Sequence, residues 1–256
     1  VLKVISLLNK PDLEALKIDS EKWYEIDDQQ DLNNAEALFA EEKQALSLYG
    51  KRFGGYWRFP MLLDFCYLVN PYFPNPRLKE EMKANFDTLL TEYPSGMQVN
   101  AQLAARYAGI SADQIIVGNG AAELINSYMR ILPSCKTGVI LPTFEEYPNR
   151  LNQEALEYFI PDNPDFSYTG SDIMAYFKDK PIKQLLIINP DNPSGNLLSK
   201  AELMSLLEWS KSKEIKLVVD ESFLDFAQSG NSISLLDEDL LNLNPHLIVI
   251  KSISKS

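Results

Sequence analysis

The sequence predicts an α/β protein built on a mostly parallel sheet. After Gly50, short apolar runs alternate with segments of helical periodicity. This alternation is typical of βαβ units, in which a helix carries the chain back so that successive strands run in the same direction. An open parallel sheet binds its ligand beyond the carboxyl ends of the strands, so the residues that follow each apolar run are the first functional candidates.

Five apolar runs are predicted strands and four periodic segments are predicted helices. The strands are QIIVG at 114–118, TGVILP at 137–142, KQLLIIN at 183–189, IKLVVD at 215–220 and HLIVIK at 246–251. The helices are PRLKEEMKANFDTLL, GMQVNAQLAARYA, AAELINSYMRIL and SKAELMSLLEWSKS. Ser199, followed three residues later by Glu202, forms a capping box that predicts where the last helix begins.

The first 45 residues differ in composition from the rest and are predicted to form a separate segment, which leaves residues 46–256 as the main domain. Acidic side chains are concentrated between Glu25 and Asp31. Asp31 and Asn33 belong to the residue types that cap helices, so we expect one of them to begin the helix that follows.

Composition disfavours several classes of function. The 45% hydrophobic content is sufficient for a substantial buried core. A net charge of −12, with no cluster of Lys and Arg, argues against a nucleic-acid partner. Cys66 and Cys135 are isolated and His246 is the single histidine, so we predict no metal site and expect reduced thiols in a cytoplasmic protein. No apolar stretch approaches the roughly 18 residues of a membrane span, so no membrane partner is expected.

Two of the predicted strands lead into loops with binding potential. GNGAAELI places Gly118 and Gly120 before a helix that starts at Ala121, and such a turn offers backbone N–H groups to an anion such as a phosphate. NPDNPSG leaves Asn189 and Asn192 as hydrogen-bonding groups at the edge of the sheet. An ordinary tight strand–helix connection is a competing explanation for both loops.

The ends of the last two predicted strands are more informative. Asp220 follows four apolar residues, and a buried carboxylate needs a cationic or hydrogen-bonding partner. HLIVIK is followed by Ser252, Ser254 and Lys255. A lysine in this position can form a Schiff base, and an aspartate on a neighbouring strand can keep a pyridine nitrogen protonated. Lys255 and Asp220 are therefore predicted catalytic residues, and together they indicate pyridoxal phosphate.

The other residues at the strand ends complete a site for this cofactor. Asp220 would make the pyridine ring an electron sink, and Asn192 would hydrogen-bond the phenolic oxygen of the ring. The turn from Gly120 to Ala122, together with Ser252 and Ser254, would bind the phosphate. Each motif is ambiguous alone, but the ordered set predicts one cofactor.

From residue 50 to residue 256 the sequence resembles fold-type I pyridoxal-phosphate enzymes, specifically the branch of histidinol-phosphate aminotransferase and threonine-phosphate decarboxylase. The matching pieces are LDFCYLVNPYFP, EYPSGMQ, GNGAAELI, LPTFEEY, NPDNPSG, VVDESFLDF and KSISKS. The resemblance implies a three-layer α/β/α large domain. It also implies that Lys255 bonds the cofactor, Asp220 pairs with its pyridinium nitrogen and Asn192 contacts its phenolic oxygen.

The resemblance assigns four further residues. Ala121 and Ala122 fall where backbone N–H groups bind the phosphate. Phe144 falls where family members stack an aromatic ring on the cofactor. Tyr93 matches a tyrosine that reaches the cofactor phosphate of the neighbouring subunit, which implies a homodimer with shared sites. Without the resemblance, Phe144 is explained as a core aromatic residue and Tyr93 as a turn residue before Pro94.

The sequence departs from the family pattern in two ways. Phe223 stands where aminotransferases of this branch commonly carry a tyrosine whose hydroxyl contacts the phenolic oxygen, while the decarboxylase branch tolerates phenylalanine. The sequence also ends before the arginine expected shortly after Lys255 and before the small domain, whose arginine grips the substrate carboxylate. We therefore expect the 256-residue chain to turn over substrate poorly on its own.

A second resemblance lies in the first 45 residues. WYEIDDQQDLNNAE is similar to the closing segment of sugar- and choline-phosphate-type nucleotidyltransferases, in which the aspartate of a Glu-Ile-Asp step helps to hold a divalent metal. Asp27 occupies that position. The two resemblances suggest a segment of a fused nucleotidyltransferase–aminotransferase, whose activities would make and then activate a phosphorylated or phosphonylated amine.

Three hypotheses for function follow. The first is transfer of an amino group between a small-molecule donor and acceptor, of which one is a small amino acid or amine bearing a phosphate or phosphonate. The second is α-decarboxylation of a phosphorylated amino acid, for which Phe223 is the only indication. The third is a non-catalytic, pyridoxal-phosphate-binding sensor of the kind fused to transcription regulators, which the acidic N-terminal segment disfavours.

Overall fold

The computed structural model describes residues 23–41, 44, 47–48, 70, 72–131, 135–228 and 230–253. The chain divides into two units, Val1–Tyr67 and Leu68–Ser256. Three residues singled out above, Cys66, Ser254 and Lys255, lie outside the described residues. Cys135 is described and is a free thiol.

Helix α1, Gln29–Phe39, belongs to the first unit. Its N-cap is Asp28, whose extended backbone precedes the first helical residue. The Asp28 carboxylate accepts the Asp31 backbone N–H at 2.9 Å. Asp31 in turn accepts the backbone N–H of Asp27 at 3.2 Å. The prediction that Asp31 or Asn33 caps this helix is wrong, because Asp28 already satisfies the first-turn donors and the helix starts earlier.

The second unit begins with a run of helices. The segment predicted as one helix forms two, Pro76–Ala84 (α2) and Phe86–Thr91 (α3), because Asn85 leaves the helical conformation and its side chain donates to the Glu81 carbonyl at 2.8 Å. Helix α4, Met97–Ala108, ends where Gly109 takes a φ of +71°. Helix α5 spans Ala121–Ile131. Both α4 and α5 were predicted.

Among the described residues, five strands form one sheet in which every neighbouring pair is parallel. The order across the sheet is β2-β1-β3-β4-β5. The predicted mostly parallel sheet is therefore confirmed. The strands are Thr137–Ile140 (β1), Leu156–Phe159 (β2), Gln184–Ile188 (β3), Lys216–Asp220 (β4) and Leu247–Ile250 (β5).

One predicted strand is absent and one observed strand was not predicted. The prediction of a strand at QIIVG, residues 114–118, is wrong. Ala112–Gln114 forms a short 3-10 helix, residues 115–118 are irregular, and Ile116 is exposed. A strand needs a hydrogen-bonded neighbour, and this segment pairs with no strand of the described sheet. The unpredicted strand β2 is a four-residue edge strand.

Helices connect the strands from β2 onward. Ser199 and Glu202 form the predicted capping box of α7, and Thr169 with Asp172 forms another at the start of α6, which was not predicted. Across the described residues, no helix is long and apolar enough to span a bilayer. The helices are Gly170–Phe177 (α6), Lys200–Ser212 (α7), Gly230–Ile233 (α8) and Glu238–Leu243 (α9).

Two apolar clusters cover the opposite faces of the sheet, giving three layers. In β3, Leu185 and Ile187 point into the cluster that includes α6 and α7, while Leu186 and Ile188 point into the cluster that includes α5. The alternation follows from the two-residue period of a strand. Because both faces are covered, β3 is buried along its whole length.

The strand order fixes where a ligand can bind. The chain passes from β1 outward to β2 and then crosses back to β3 on the other side of β1, so the direction of winding reverses between β1 and β3. The loops that follow two such strands diverge and leave a crevice at the carboxyl end of the sheet. The segments after β1, β3, β4 and β5 therefore surround one candidate site.

Candidate cofactor site

A cavity of about 190 Å³ lies at the carboxyl ends of the strands. Four strand ends and the first turn of α5 contribute to its wall. The lining residues are Ala121, Ala122, Phe144, Ile188, Asn192, Asp220, Ser222, Phe223 and Ser252. The structure thus brings together six residues that were predicted from the sequence to bind the cofactor: Ala121, Ala122, Phe144, Asn192, Asp220 and Ser252.

Asp220 is the last residue of β4 and is almost fully buried. Its Oδ2 accepts the Tyr147 hydroxyl at 2.6 Å, and its Oδ1 accepts the backbone N–H of Ser222 at 2.8 Å. A carboxylate has about four lone-pair sites, so these two bonds leave acceptor capacity on the carboxylate. Since Asp220 lines the cavity, that capacity is available to a cationic N–H group of a ligand.

Asn192 lies in the loop that follows β3, and hydrogen bonds fix this loop at both ends. The side chain of Asn189 accepts the Leu198 N–H at 2.8 Å and donates to the Leu198 carbonyl at 3.2 Å. Ser194 donates to the Asp191 carboxylate at 2.7 Å, and burial raises the pKa of Asp191. Asn192 lines the cavity, so the fixed loop places this residue where a ligand can bind.

The first turn of α5 forms another side of the cavity. Gly120 has a φ of +81°, a conformation that favours glycine, and it directs the chain into the helix at Ala121. The backbone N–H groups of a first helical turn have no partner within the helix, and the helix dipole adds positive potential there. Glu123 folds back to accept the Asn119 backbone N–H. Because of these N–H groups and the helix dipole, the first turn of α5 is suited to bind an anion. Ser252 also lines the cavity.

Two aromatic residues complete the wall. Phe144 follows β1 and packs against the apolar cluster beneath Asp220, and its ring meets that of Tyr147 edge-on at a centroid distance of 6.4 Å. Phe223 comes three residues after Asp220 and its ring lies 6.2 Å from that of Phe226. Both aromatic residues border the cavity from loops at the carboxyl end of the sheet.

The remaining predicted residues have different outcomes. Gly120 adjoins the cavity through Ala121. Tyr93 follows α3, is 100% exposed and does not line the cavity of its own chain. Ser254 and Lys255 lie outside the described residues. The roles assigned to all of these residues remain predictions.

Sequence reasoning missed Tyr147 and Ser222. Tyr147 stands three residues after Phe144 in the LPTFEEY motif, but nothing in the sequence indicates that its partner is a carboxylate 73 residues away. Ser222 follows Asp220 by two residues, and its proximity was the only available signal. The Ser222 hydroxyl is buried and has no hydrogen-bond partner among the described residues.

The donor and acceptor groups of the cavity fit pyridoxal phosphate. Asp220 suits a protonated ring nitrogen, Asn192 a phenolic oxygen, Phe144 a flat ring and the first turn of α5 a phosphate. The unpartnered Ser222 hydroxyl also favours a polar ligand, because a buried hydroxyl without a hydrogen bond costs about 1–3 kcal/mol. The residues that line the cavity therefore suit the ring nitrogen, the phenolic oxygen, the ring face and the phosphate of this cofactor.

Two similar curated proteins have names that include a phosphorus-containing compound. The chain is 30% identical over 233 residues to the CMP-5'-(3-aminopropyl)phosphonate synthase of Streptomyces rubellomurinus, covering 91% of this chain and 36% of that protein. It is 28% identical over 208 residues to the L-serine phosphate decarboxylase of Sulfurospirillum multivorans, covering 77% of this chain and 53% of that protein. The chain thus spans about half or less of the length of these relatives.

Solved structures show the same fold. A decarboxylase from Sulfurospirillum multivorans matches with a TM-score of 0.65 and 26% identity, covering 78% of this chain and 53% of that chain. A histidinol-phosphate aminotransferase from Sinorhizobium meliloti, in complex with pyridoxal-5'-phosphate, matches with a TM-score of 0.61 and 16% identity, covering 85% and 60%. The second match shows a shared fold in a protein that holds this cofactor.

The family model described as aminotransferase class I and II matches residues 63–256, which is more than half of the chain. The matched range contains every strand of the sheet and every residue that lines the cavity. The chain therefore belongs to the aminotransferase class I and II family, whose enzymes depend on pyridoxal phosphate.

Proposed function

We propose that this chain is the cofactor-binding part of an enzyme that transfers the amino group of a small amino acid or amine bearing a phosphate or phosphonate. The observation that carries the proposal is the buried carboxylate of Asp220, which shares one cavity with Asn192, Phe144 and the first turn of α5. Burial of a carboxylate costs free energy that hydrogen bonds or an opposite charge must offset, and a ligand cation in the cavity would add such a charge beside Asp220.

The proposed roles follow from the position of each group. When bound, pyridoxal phosphate supplies an electron sink for bonds at the substrate α-carbon. Asp220 holds a proton at the ring nitrogen, and Asn192 donates a hydrogen bond to the phenolic oxygen. Phe144 supports one face of the ring, and the backbone N–H groups of Ala121 and Ala122 bind the phosphate.

Lys255 is proposed to bond the cofactor covalently and to move the proton at the substrate α-carbon. The assignment is supported by the environment of the other nearby lysine, Lys251. Lys251, four residues earlier, pairs with Asp225 at 2.7 Å and is largely buried in that ion pair. Lys255 is the next lysine after Lys251 in the sequence.

The names of the two relatives support a substrate that carries phosphorus, since one includes an aminopropylphosphonate and the other serine phosphate. The first relative aligns over 91% of this chain, so the alignment extends into the first 45 residues. This supports the proposal that residues 1–45 close a nucleotidyltransferase-like domain containing Asp27, and that residues 46–256 begin an aminotransferase domain. The fused protein would make and then activate an aminoalkyl phosphonate or phosphate.

We also propose that the protein acts in the cytoplasm as a homodimer. Full exposure of the Tyr93 side chain supports this, because a tyrosine in that position is free to reach a second subunit. A partner that supplies Tyr93 would complete the phosphate end of the cavity. Its small-molecule partners would be an amino-group donor and acceptor.

Borohydride reduction tests the proposed covalent bond. The protein is incubated with pyridoxal phosphate, reduced, digested and mapped by mass spectrometry. We expect one pyridoxyl adduct, on Lys255, which Lys255→Arg abolishes. Lys251→Arg is the matched control and should retain the Lys255 adduct. Scattered adducts, or a Lys255→Arg variant that labels as strongly as the unmodified protein, would overturn the proposal.

Decarboxylation is the second candidate. Phe223 lines the cavity without a hydroxyl to offer to the cofactor, and a serine phosphate decarboxylase is among the relatives. Incubation of the full-length gene product with O-phosphoserine, with and without a 2-oxo acid, separates the two reactions, whereas 3-aminopropylphosphonate has no carboxyl group and tests transamination alone. Transamination requires the 2-oxo acid and converts it to an amino acid, whereas decarboxylation releases CO₂ without it.

A further inference from the structure

Tyr147 contacts the carboxylate that the proposed function places on the ring nitrogen. Its side chain is 0% exposed and lies in the apolar cluster with Val139, Ile188 and Val218. The hydroxyl is its one polar atom there, and it donates to Oδ2 of Asp220 at 2.6 Å. At that length the bond is of the strong, charge-assisted kind.

The backbone around Tyr147 fixes the direction of this hydroxyl. The Tyr147 N–H bonds to the Phe144 carbonyl at 3.3 Å, and the Tyr147 carbonyl accepts from Arg150 at 3.2 Å. Phe144 lines the cavity, whereas Tyr147 lies behind Asp220 and is not among its lining residues. The turn that follows β1 therefore places the Phe144 ring at the cavity and the Tyr147 hydroxyl on the Asp220 carboxylate.

The hydroxyl can act only as a donor to Asp220. Burial raises the pKa of Tyr147, and the neighbouring Asp220 raises that pKa further. The hydroxyl consequently keeps its proton throughout the physiological range. A permanent donor stabilises the ionised form of the carboxylate relative to the protonated form.

We propose that Tyr147 is a positioning residue that acts through Asp220 to keep the ring nitrogen of the cofactor protonated. This inference rests on the proposed function. With Tyr147 on Oδ2 and Ser222 N–H on Oδ1, the carboxylate is fixed in rotation and its charge is stabilised. Removal of the hydroxyl makes the carboxylate more basic, so the shared proton moves from the ring nitrogen toward Asp220.

The test uses Tyr147→Phe and pyridoxal phosphate labelled with ¹⁵N in the ring. We expect the ¹⁵N resonance of the bound cofactor to move toward the unprotonated value, and the apparent Kd for the cofactor to rise about tenfold. Tyr128→Phe is the matched control. Tyr128 packs against the same apolar cluster, but its hydroxyl bonds to Gln184 at 2.7 Å and does not contact Asp220.

The outcomes are distinguishable. If Tyr147→Phe binds the cofactor with an unchanged ¹⁵N resonance, the inference is wrong and Tyr147 serves packing alone. If Tyr147→Phe does not fold, replacement of Tyr147 by 4-aminophenylalanine retains a weaker donor and should give an intermediate resonance; an unshifted resonance there overturns the inference. If the unmodified protein binds no cofactor, the proposed function itself fails.

Discussion

Asp220 and Glu221 are adjacent carboxylates that serve opposite sides of the sheet. Asp220 accepts from Tyr147 in the cluster that includes α5. Glu221 is fully buried and accepts the Ser234 hydroxyl and the Leu235 backbone N–H, both at 2.6 Å. At the end of β4, Asp220 therefore lines the cavity, whereas Glu221 binds the segment that follows α8.

Glu221 should make the stability of the protein depend on pH. Burial is the main influence on this carboxyl and raises its pKa above the ordinary value of 4.5. A raised folded-state pKa means that the contribution of Glu221 to stability is complete below pH 4.5 and is lost as pH rises through the folded-state pKa. Glu221→Gln removes this loss, so the free energy of unfolding of the variant should rise relative to the unmodified protein as pH increases from about 4 to about 8.

Urea unfolding at several pH values measures this difference. The matched control is Glu208→Gln, which alters an exposed glutamate of α7. In Glu221→Gln the new side chain retains an acceptor for the Leu235 N–H, and its amide can donate to the Ser234 hydroxyl, so packing is preserved. A difference between Glu221→Gln and the unmodified protein that does not change with pH would contradict the prediction.

At the residue scale, the sequence identifies site residues whose role follows from their position beside a predicted strand. Asp220 was predicted because it ends a buried apolar run and Asn192 because it lies in the loop after another, and the structure places both on the cavity wall. Tyr147 was not predicted because its role depends on a contact across the sheet with Asp220. The helix cap was misplaced because Asp28, Asp31 and Asn33 have similar capping propensities and only the backbone conformation decides among them.

At the element scale, Gly138 shows why helix α6 lies so close to strand β1. A Cβ atom at Gly138 would lie 2.7 Å from a ring carbon of Phe177 and 3.0 Å from Ile182. Gly138→Ala should therefore destabilise the protein by about 1–3 kcal/mol through overpacking. Gly96→Ala is the control, since no atom lies within 4 Å of its Cβ position.

Thermal or urea unfolding of the two variants checks this prediction. The double variant Gly138→Ala, Phe177→Leu should recover part of the loss, because the smaller side chain vacates the space that the methyl group needs. Equal stabilities of Gly138→Ala and Gly96→Ala would show that the Phe177 ring moves aside without cost.

The strands that are buried on both faces were predicted well from the sequence. KQLLIIN and IKLVVD form β3 and β4, whose long apolar runs reflect contact with both clusters. QIIVG has a similar composition but no neighbour to pair with in the described sheet, and in β2 the apolar residues are interrupted by Glu157. Pairing is a property of the assembled sheet, so a single run of residues does not determine it.

At the scale of the whole molecule, helices α2 and α3 contain no buried residue, and Phe86, Leu89 and Leu90 are exposed. An apolar patch of this kind favours association. If the proposed homodimer uses this surface, Leu90→Glu should shift the protein toward monomer in sedimentation velocity experiments. Leu243→Glu is the matched control, because Leu243 in α9 has the same exposure of 70%. A monomeric unmodified protein, or equal effects of the two variants, would refute the assignment.

The strand order also determines when the cavity forms. Its lining residues extend from Ala121 to Ser252, and the last of them follows β5, whose neighbour in the described sheet is β4. Parallel neighbours join residues that are distant along the chain, and such pairing is slow to form. A chain still emerging from the ribosome therefore has no complete pocket until β5 and Ser252 have been released, so that binding of the cofactor would report that β5 has paired with β4.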